Sequence, residues 1–410
     1  MHSRWADDLS GLRDFYKGQL KGNILPFWLK RCLDERNGGY FNCFDNRGLG
    51  LVSRDKYTWS QGRFLWLFST LATDEACGFT SEEQKLFLAY ARSGYDFLKS
   101  HCFLPSGHCA FVMDEEGRPK GEVLDASIYA DCFAAIGFAA YGLAAKDGQA
   151  KALAGKTYAG IRQRVTSGIF NSLPYPLPQG FMAHGIPMIM SNVAMQMSLI
   201  DKAYLSDLEA FTDTVQQNFV DDSFTVRETI DSSKGICDDY LLFTHANPGH
   251  SLEDAWFMLD ASQALGREDI QDKAIRIARR ALETGWDEEH GGILHFCDRN
   301  GGEPRGLSLG TSTETLVSQG WGDKLWWVHS EALYTTLRCY LIGHDEQFMK
   351  AHERIKEYTF SHFPNPDKAI GEWIQILDRE GRPMDKVVAL PVKDPFHIAR
   401  DFLLICRLLG

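Results

Sequence analysis

The sequence predicts an all-α protein, an (α/α)6 barrel of twelve helices with short β-hairpins on one rim. Twelve stretches carry the 3.6-residue apolar period of helices, and every second one begins about 62–73 residues after its predecessor. Their bounds are 5–32, 57–72, 81–101, 125–147, 149–170, 187–202, 204–219, 250–266, 268–285, 323–343, 345–361 and 395–409. Such spacing is typical of six helix–loop–helix units that close into a ring, and a two-domain α-solenoid is the main alternative.

A glycine-rich turn is the second recurring feature. A glycine, an aromatic-rich stretch and a D-x-x-G turn occur together four times. The copies are GGYFNCFDNRG (38–48), SGHCAFVMDEEGRP (106–119), GGILHFCDRNGGEP (291–304) and GEWIQILDREGRP (371–383). Each predicts a β-hairpin whose turn residues tolerate positive φ. Because no Pro/Gly/Ser-rich linker divides the chain, we expect a single catalytic domain over residues 1–410.

Composition and charge exclude several classes of partner. The 55 acidic and 43 basic residues give a net charge of −12, which repels phosphate backbones, so we expect no nucleic-acid partner. No apolar stretch approaches the length of a membrane span, and MHSRWADDLSGLRDFYKGQL (1–20) is too polar for a signal peptide. The ten cysteines form no C-x-x-C pair. We therefore expect a cytoplasmic protein whose thiols are reduced and mostly buried.

The segment KYTWSQGRFLW (56–66) places Trp59, Arg63 and Trp66 on one helical face, because they are spaced at i, i+4 and i+7. An arginine between two tryptophans is either a packed member of an ion pair or a fork that binds substrate oxygens. For a lone arginine, the residues themselves favour the ion pair.

The segment HANPGHSLEDAWFMLD (245–260) contains an Asn-Pro-Gly turn, so His250 lies in the first turn of the helix that follows. The positive end of the helix dipole disfavours imidazolium, so we expect His250 to be neutral at pH 7, as a general base must be. Glu253 shares its face and is a candidate for orienting the ring or binding a hydroxyl. In the structural alternative, His250 only caps the helix and Glu253 completes a capping interaction.

Two further helix starts carry candidate residues. In WGDKLWWVHSEALY (321–334), Trp327 and Glu331 are i, i+4 neighbours, whereas His329 points elsewhere and is predicted to be structural. In LPVKDPFHIARDF (390–402), a proline again precedes a helix and His397 lies in its first turn. In a six-fold ring, the helices that carry His250 and His397 can face each other and reach a substrate from two sides.

Other chemistries lack their motifs. The sequence has no H-E-x-x-H and no closely spaced Cys/His cluster, and His290 and His295 beside a turn are weak evidence for a metal. There is no P-loop, GLGLVS (48–53) lacks the third glycine of a dinucleotide fingerprint, and no G-x-S-x-G elbow is present. We therefore expect no metal site.

Five motifs together resemble a known family. In chain order they are KYTWSQGR, NPGHSLE, WDEEHGG, KLWWVHSEA and DPFHIAR. They resemble the N-acylglucosamine 2-epimerase family, whose relatives include cellobiose 2-epimerases and mannose and sulfoquinovose isomerases. The similarity runs from PFWL (26–29) to Arg400. It implies an (α/α)6 barrel, a homodimer, and no required metal or redox cofactor. Activation by ATP occurs in some members and stays open, since the chain has no recognisable nucleotide motif.

The resemblance also implies roles for residues. His250 and His397 match the two catalytic histidines. The implied substrate-binding set consists of Trp59, Arg63 near O1 and O2, Asn192, Glu253, Trp327 in an aromatic wall, Glu331 and Arg400. Asn192, in IPMIMSNVAMQM (186–197), stands where cellobiose epimerases and the isomerases carry a further histidine. The N-acylglucosamine 2-epimerases have asparagine there. His184 lies nearby and is a candidate for part of the missing histidine's role.

The implied reaction is interconversion of N-acetyl-D-glucosamine and N-acetyl-D-mannosamine. In the ring-opened sugar the C1 carbonyl acidifies C2–H, so one histidine can remove that proton and the other can return a proton to the opposite face. An aldose–ketose isomerase or 2-epimerase of mannose or glucose is the alternative on the same scaffold. An (α/α)6 glycoside hydrolase would use two carboxylates, with Asp131, Glu253 and Glu331 available. A non-catalytic sugar-binding barrel is the remaining alternative.

Overall fold

The computed structural model describes residues 8–176, 178, 180–231 and 239–410. These residues form two compact units. Unit 1 comprises the described residues of Met1–Asn171 together with Asn365–Trp373 and Val387–Gly410, and unit 2 comprises those of Ser172–Pro364 together with Ile374–Lys386. The expectation of a single domain over residues 1–410 stays a prediction.

Helices dominate both units. They are α1 (Asp8–Gln19), α2 (Leu25–Arg31), α3 (Thr58–Leu71), α4 (Ser81–His101), α5 (Ile128–Ala144), α6 (Gly148–Ser167), α7 (Gly185–Ser198), α8 (Leu205–Asn218), α9 (Leu241–Thr244), α10 (Pro248–Leu265), α11 (Glu268–Gly285), α12 (Ser312–Gly320), α13 (Trp326–Gly343), α14 (Glu346–His362) and α15 (Phe396–Leu408). A π-helix, Leu20–Ile24, joins α1 to α2, and a 3₁₀ helix, Lys202–Tyr204, precedes α8.

Short antiparallel strands accompany the helices. They are β1 (Lys56–Tyr57), β2 (Val112–Met113), β3 (Pro119–Lys120), β4 (Phe181–Ala183), β5 (Thr229–Asp231), β6 (His245–Ala246), β7 (Cys297–Asp298), β8 (Lys324–Leu325) and β9 (Ile376–Leu377). The pairs are β1–β2, β2–β3, β4–β5, β6–β7 and β8–β9. Strands β1, β4, β6 and β8 lie just before α3, α7, α10 and α13, so small antiparallel ladders lie at the N-terminal ends of these helices. Among the named pairs only β2–β3 is a hairpin, because the other pairs join segments far apart in the chain.

Local signals explain the helix boundaries. Each of the twelve predicted stretches contains a helix. A reciprocal capping box between Thr80 and Glu83 starts α4. Helix α10 ends at Gly266 in the left-handed region. The predicted turns are confirmed at the glycine of each D-x-x-G, since Gly48, Gly117, Gly301 and Gly381 all have positive φ.

Close helix crossings set the packing in each unit. In unit 1, α3 crosses α5 so closely that a Cβ at Gly62 would lie 2.3 Å from the Phe133 carbonyl oxygen. In unit 2, a Cβ at Gly249 in α10 would lie 2.6 Å from the Trp327 indole of α13. Only glycine permits both approaches, which bring α3 against the backbone of α5 and the start of α10 against an indole of α13.

The described cysteines agree with the expectation of reduced, buried thiols. They are Cys32, Cys43, Cys77, Cys102, Cys109, Cys132, Cys297, Cys339 and Cys406, all buried and free. Cys237 lies outside the described residues. Within the part of the chain that is described, no helix is both long and apolar enough to cross a bilayer.

Candidate active site

The first turn of α10 carries His250. The Asn247 side-chain oxygen accepts a hydrogen bond from the His250 backbone N–H at 3.1 Å, and Pro248 occupies the next position. Asn247 therefore caps the helix, and the His250 ring is left for another purpose. The structural alternative, in which His250 itself caps the helix, does not match this geometry.

The His250 ring is held by a carboxylate that the sequence analysis did not identify. Nδ1 of His250 lies 2.8 Å from Oε2 of Glu228, a hydrogen-bonding distance. The His250 side chain is 32% exposed. The Trp327 ring lies beside it, with centroids 5.3 Å apart. Within the described residues Nε2 makes no hydrogen bond. His250 thus has one nitrogen anchored and the other available for proton transfer.

The electrostatics of His250 correct the expectation from sequence. Burial lowers the pKa of this ring, but the Glu228 carboxylate outweighs burial, so the pKa of His250 is raised. The helix dipole contributes about 0.3–1 kcal/mol against imidazolium, whereas a charge-assisted hydrogen bond contributes about 1.5–3 kcal/mol in its favour. The pKa therefore shifts in the direction opposite to the one expected from the helix dipole: the pair with Glu228 favours imidazolium and makes the neutral ring a stronger base.

Glu228 reaches His250 through strand pairing. It directly precedes β5, and Ala183 of β4 pairs with Thr229 of β5. The His184 backbone N–H extends this ladder by donating to the Glu228 carbonyl oxygen at 3.0 Å. No motif marks Glu228 in the sequence, because its position depends on a register between segments about 46 residues apart.

His184 lies behind Glu228, away from solvent. It is 0% exposed, with Nδ1 at 3.7 Å from Oε1 of Glu228 and Nε2 at 3.4 Å from Oδ2 of Asp254. Asp254 lies one helical turn after His250 on α10. From the sequence, His184 was a candidate for part of the role of a missing substrate-facing histidine. Its full burial between two carboxylates does not fit that role.

Other predicted site residues of unit 2 lie along α7, α10 and α13. Glu331 is fully buried and accepts a hydrogen bond from Nε1 of Trp256 at 2.7 Å. Glu253 is 8% exposed on α10. Asn192 is partly exposed on α7.

His329 is structural, as the sequence analysis proposed. Its Nδ1–H donates to the Leu325 carbonyl oxygen at 2.8 Å, and Nε2 accepts from the Ile293 N–H at 3.0 Å. Burial lowers the pKa of His329 to about 3. With both nitrogens bonded to backbone, this ring is neutral, fixed in one tautomer and unable to exchange protons with a substrate.

In unit 1, Arg63 forms an ion pair with Asp394 and lies over aromatic rings. Nη1 of Arg63 donates to Oδ2 of Asp394, and the guanidinium carbon is 4.3 Å from the Phe133 ring centroid and 4.9 Å from that of Phe396. Trp59 stacks on Phe133 at 5.4 Å. The ion-pair alternative for Arg63 therefore matches the geometry. Asp394 and the two rings hold the charged guanidinium in place.

His397 follows at the start of α15. Nη2 of Arg400 lies 3.3 Å from Nδ1 of His397, and Nε of Arg400 donates to Oδ1 of Asp401 at 3.4 Å. Asp394 helps to start this helix, since its Oδ1 accepts from the Phe396 N–H at 2.7 Å. Asp394 was missed in the sequence, although an aspartate before a proline at a helix start is a visible capping signal.

The predicted site residues are thus divided between the units. Unit 1 carries Trp59, Arg63, His397 and Arg400, and unit 2 carries Asn192, His250, Glu253, Trp327 and Glu331. The structure brings His250 and Trp327 together, and His397 and Arg400 together. The expectation that His250 and His397 act from opposite sides of a substrate stays a prediction.

A cluster in unit 2 has the spacing of metal ligands. Possible ligand atoms of His184, Glu228 and His250 lie within 4.8 Å of one another. A metal there would have to replace the proton shared by His250 and Glu228. In this cluster the two imidazoles alternate with the carboxylates of Glu228 and Asp254, so each histidine already faces a negative charge. The expectation that no metal is bound stays a prediction.

Solved structures that share this fold include sugar epimerases and isomerases. A cellobiose 2-epimerase from Bacillus thermoamylovorans B4167 superposes with a TM-score of 0.78 at 20% identity, over 97% of this chain and 100% of that one. A D-mannose isomerase gives 0.77 at 18% identity, over 96% and 98% of the two chains. The predicted all-α (α/α)6 barrel is confirmed.

The sequence comparisons identify the family. The N-acylglucosamine 2-epimerase (GlcNAc 2-epimerase) family model matches residues 39–400, so the chain belongs to this family. The N-acylglucosamine 2-epimerase of Rattus norvegicus is 27% identical over 407 residues, which cover 96% of this chain and 91% of the relative. The chain is therefore an enzyme of the isomerase class that acts on sugars.

Proposed function

We propose that this protein interconverts N-acetyl-D-glucosamine and N-acetyl-D-mannosamine by inverting C2 of the ring-opened sugar. The observation that carries the proposal is the His250–Glu228 pair in a member of the N-acylglucosamine 2-epimerase family. A carboxylate supports one nitrogen of this imidazole, and the other makes no hydrogen bond to the described residues. The full-length similarity to the Rattus norvegicus N-acylglucosamine 2-epimerase supports the acetylated substrate.

The proposed reaction needs only proton transfers. Neutral His250 takes the C2 proton, the C–H electron pair forms a C1–C2 double bond, and negative charge develops on O1. Arg63 stabilises that charge. Protonated His397 then gives a proton to the opposite face of C2, and the C1 carbonyl re-forms. Substrate and product are isomers, so no atom or electron is gained or lost. In the reverse direction the two histidines exchange roles.

The remaining predicted residues have binding roles in this proposal. Trp327, beside His250, offers an apolar face to the sugar carbons, and Trp59 extends an aromatic surface in unit 1. Glu253 and Arg400 are assigned to the substrate hydroxyls. The substrate contact of Glu331, which is fully buried and accepts a hydrogen bond from Trp256, stays a prediction of the family resemblance. Asn192 is assigned to the acetylated end of the substrate.

Stereochemistry and isotope content test the proposal directly. The protein is incubated in D₂O with N-acetylmannosamine, N-acetylglucosamine, mannose and cellobiose, and products are followed by NMR. We expect N-acetylmannosamine to be converted fastest, with one deuterium at C2 of the product. A ketose from mannose would instead assign an aldose–ketose isomerase, and a cleaved cellobiose would assign a glycoside hydrolase.

Cofactor independence is part of the proposal. The mechanism uses only side chains, so activity should survive exhaustive dialysis against a chelator. Loss of activity that only a divalent metal restores would contradict it. Activation by ATP stays open and is tested by adding ATP to the dialysed enzyme.

We also propose a homodimer that acts in the cytoplasm. The family resemblance supports the dimer, and the free, buried cysteines of the described residues support the compartment. Light scattering after gel filtration should give twice the 46.3 kDa chain mass. A monomeric mass would contradict the dimer.

A further inference from the structure

Behind His250 lies a chain of four groups in which imidazoles and carboxylates alternate. The sequence of contacts is His250 Nδ1 to Glu228 Oε2 at 2.8 Å, Glu228 Oε1 to His184 Nδ1 at 3.7 Å, and His184 Nε2 to Asp254 Oδ2 at 3.4 Å. We propose that His184, held as a cation by Asp254, is a positioning residue that fixes the Glu228 carboxylate against His250. The inference rests on the proposed function in one respect, that His250 is a catalytic base.

Burial requires a cation at the position of His184. Asp254 is 1% exposed, the Glu228 side chain is 11% exposed, and His184 lies between their carboxylates with no exposure. Two buried carboxylates flanking a neutral ring would leave negative charge uncompensated in the interior, which is strongly unfavourable. A protonated His184 compensates both neighbours at once.

The electrostatic balance agrees with this geometry. Burial alone lowers the pKa of His184, but the carboxylates of Asp254 and Glu228 outweigh it and raise the pKa to about 9. Burial acts in the opposite sense on Glu228, and the two histidines outweigh it, so the pKa of Glu228 is lowered. Glu228 is therefore ionised at neutral pH and attracted from both sides, which restrains its carboxylate in the orientation that His250 requires.

His184 acts through Glu228 and not on the substrate. Its ring centroid lies 6.4 Å from that of His250, and the ring packs against Phe219 at 5.8 Å. Its backbone is fixed by the hydrogen bond from its N–H to the Glu228 carbonyl oxygen. The position of Glu228 therefore depends on His184 through a backbone hydrogen bond and through the attraction between their side chains.

The test combines a spectroscopic signature with kinetics. A hydrogen-bonded Nδ1–H of His250 should give a low-field proton NMR signal, assigned by its loss in His250→Asn. We expect His184→Gln and Asp254→Asn to shift this signal upfield or broaden it away. We also expect kcat to fall about tenfold with little change in KM, the lower end for groups that orient a catalytic ligand.

Two further variants keep the test decisive. Each single change leaves a buried charge unpaired, so the double variant His184→Gln/Asp254→Asn, in which both charges are gone, is made in case a single variant does not fold. His329→Asn is the matched control. His329 is also a fully buried histidine of unit 2, but its two ring nitrogens form hydrogen bonds with backbone groups. It should keep both the signal and kcat.

The outcomes separate this inference from the proposed function. A folded double variant that keeps either the low-field signal or wild-type kcat overturns the positioning role. The signal is recorded without sugar, so it still decides the matter if the wild-type protein turns over none of the sugars tested. In that event the proposed function fails, and a shifted signal still supports the link from His184 through Glu228 to His250.

Discussion

His250 and His329 lie at equivalent places in unit 2, each in the first turn of a long helix that follows a short strand. Their surroundings differ. His250 has a carboxylate on one nitrogen and a partly exposed side chain, and no described residue bonds its second nitrogen. His329 is fully buried, and backbone groups occupy both of its nitrogens. Burial by itself lowers the pKa of either ring. At His250 the Glu228 carboxylate outweighs burial and the pKa is raised, whereas at His329 burial dominates and the pKa falls to about 3.

The difference shows that partners, and not helix position, decide what a histidine can do. A ring whose two nitrogens are satisfied by neutral backbone groups is fixed in one tautomer and contributes to stability. A ring supported by a carboxylate on one side keeps the other nitrogen for chemistry and gains basicity, as in catalytic triads. If partners decide the role of each histidine, substitutions at the two sites should have different effects on catalysis and stability.

Replacing His250 by Asn should abolish most of the activity. The variant keeps a polar side chain of similar size but removes the titrating group, so kcat/KM should fall by about 10²–10⁴. His397→Asn should lose net epimerisation by a similar factor. Initial rates with N-acetylmannosamine measure both effects, and unchanged melting temperatures would show that the fold is intact.

Isotope exchange distinguishes the two variants from each other. If the two histidines serve opposite faces of C2, each single variant should still exchange deuterium into one epimer only. Near-normal turnover by His397→Asn would refute the two-base mechanism. His329→Asn is the control, and its kcat should stay close to wild type.

Replacing Glu228 by Gln should have the next largest effect. The Gln side-chain amide can donate to Nδ1 of His250 and thereby move the ring proton to Nε2, the wrong tautomer for a base. We expect kcat to fall at least about 100-fold, with a smaller change in KM. The control is Glu314→Gln, a buried glutamate of unit 2 that caps α12. It should lower stability and leave kcat unchanged.

Much of the fold followed from periodicity, because long amphipathic helices repeat their pattern several times. The predicted stretches 81–101 and 268–285 match α4 and α11 at both ends. Helices α9 and α12 were missed because four and nine residues give too few repeats of the period. A visible signal did exist for α12, since Thr311 and Glu314 form a capping box.

The candidate site was only partly predictable. His250 was identified because Asn-Pro-Gly marks a helix start, a local signal. Glu228 was not, because it contacts His250 only after β4 and β5 have paired in one register. The direction of the His250 pKa shift depends on that same contact. A local sequence signal can therefore identify a candidate base, whereas the pKa of that base is set by a neighbour brought close by the tertiary fold.

Replacing His329 by Asn should lower stability, an effect smaller than those on catalysis. The change leaves the buried Ile293 N–H without its acceptor, which costs about 1–3 kcal/mol. Urea unfolding at pH 7 measures this loss. A variant as stable as the wild type would contradict the structural role of His329.

The same variant should change how stability depends on pH. The pKa of His329 is about 3 in the folded protein and about 6.5 when unfolded, so below pH 6.5 the unfolded state binds the extra proton. Stability from the neutral ring is present above pH 6.5 and is lost as pH falls toward 3. Between pH 7 and pH 5 the wild type should therefore lose about 1–2 kcal/mol more than His329→Asn. Equal losses would show that His329 does not remain neutral.

The smallest expected effect concerns Asn192, which is partly exposed on α7. At this position the resemblance associates asparagine with N-acylglucosamine 2-epimerases and histidine with cellobiose epimerases and the isomerases. Asn192→His should lower the kcat/KM ratio of N-acetylmannosamine to mannose about fivefold, roughly 1 kcal/mol, because an imidazole crowds an acetyl group and can still bond a hydroxyl. Competition between the two sugars, followed by NMR, measures the ratio directly. Asn300→His, in an exposed hairpin turn of unit 2, is the control and should leave the ratio unchanged. An unchanged ratio in Asn192→His would remove this residue from the substrate-binding set and leave the His250–Glu228 pair unaffected.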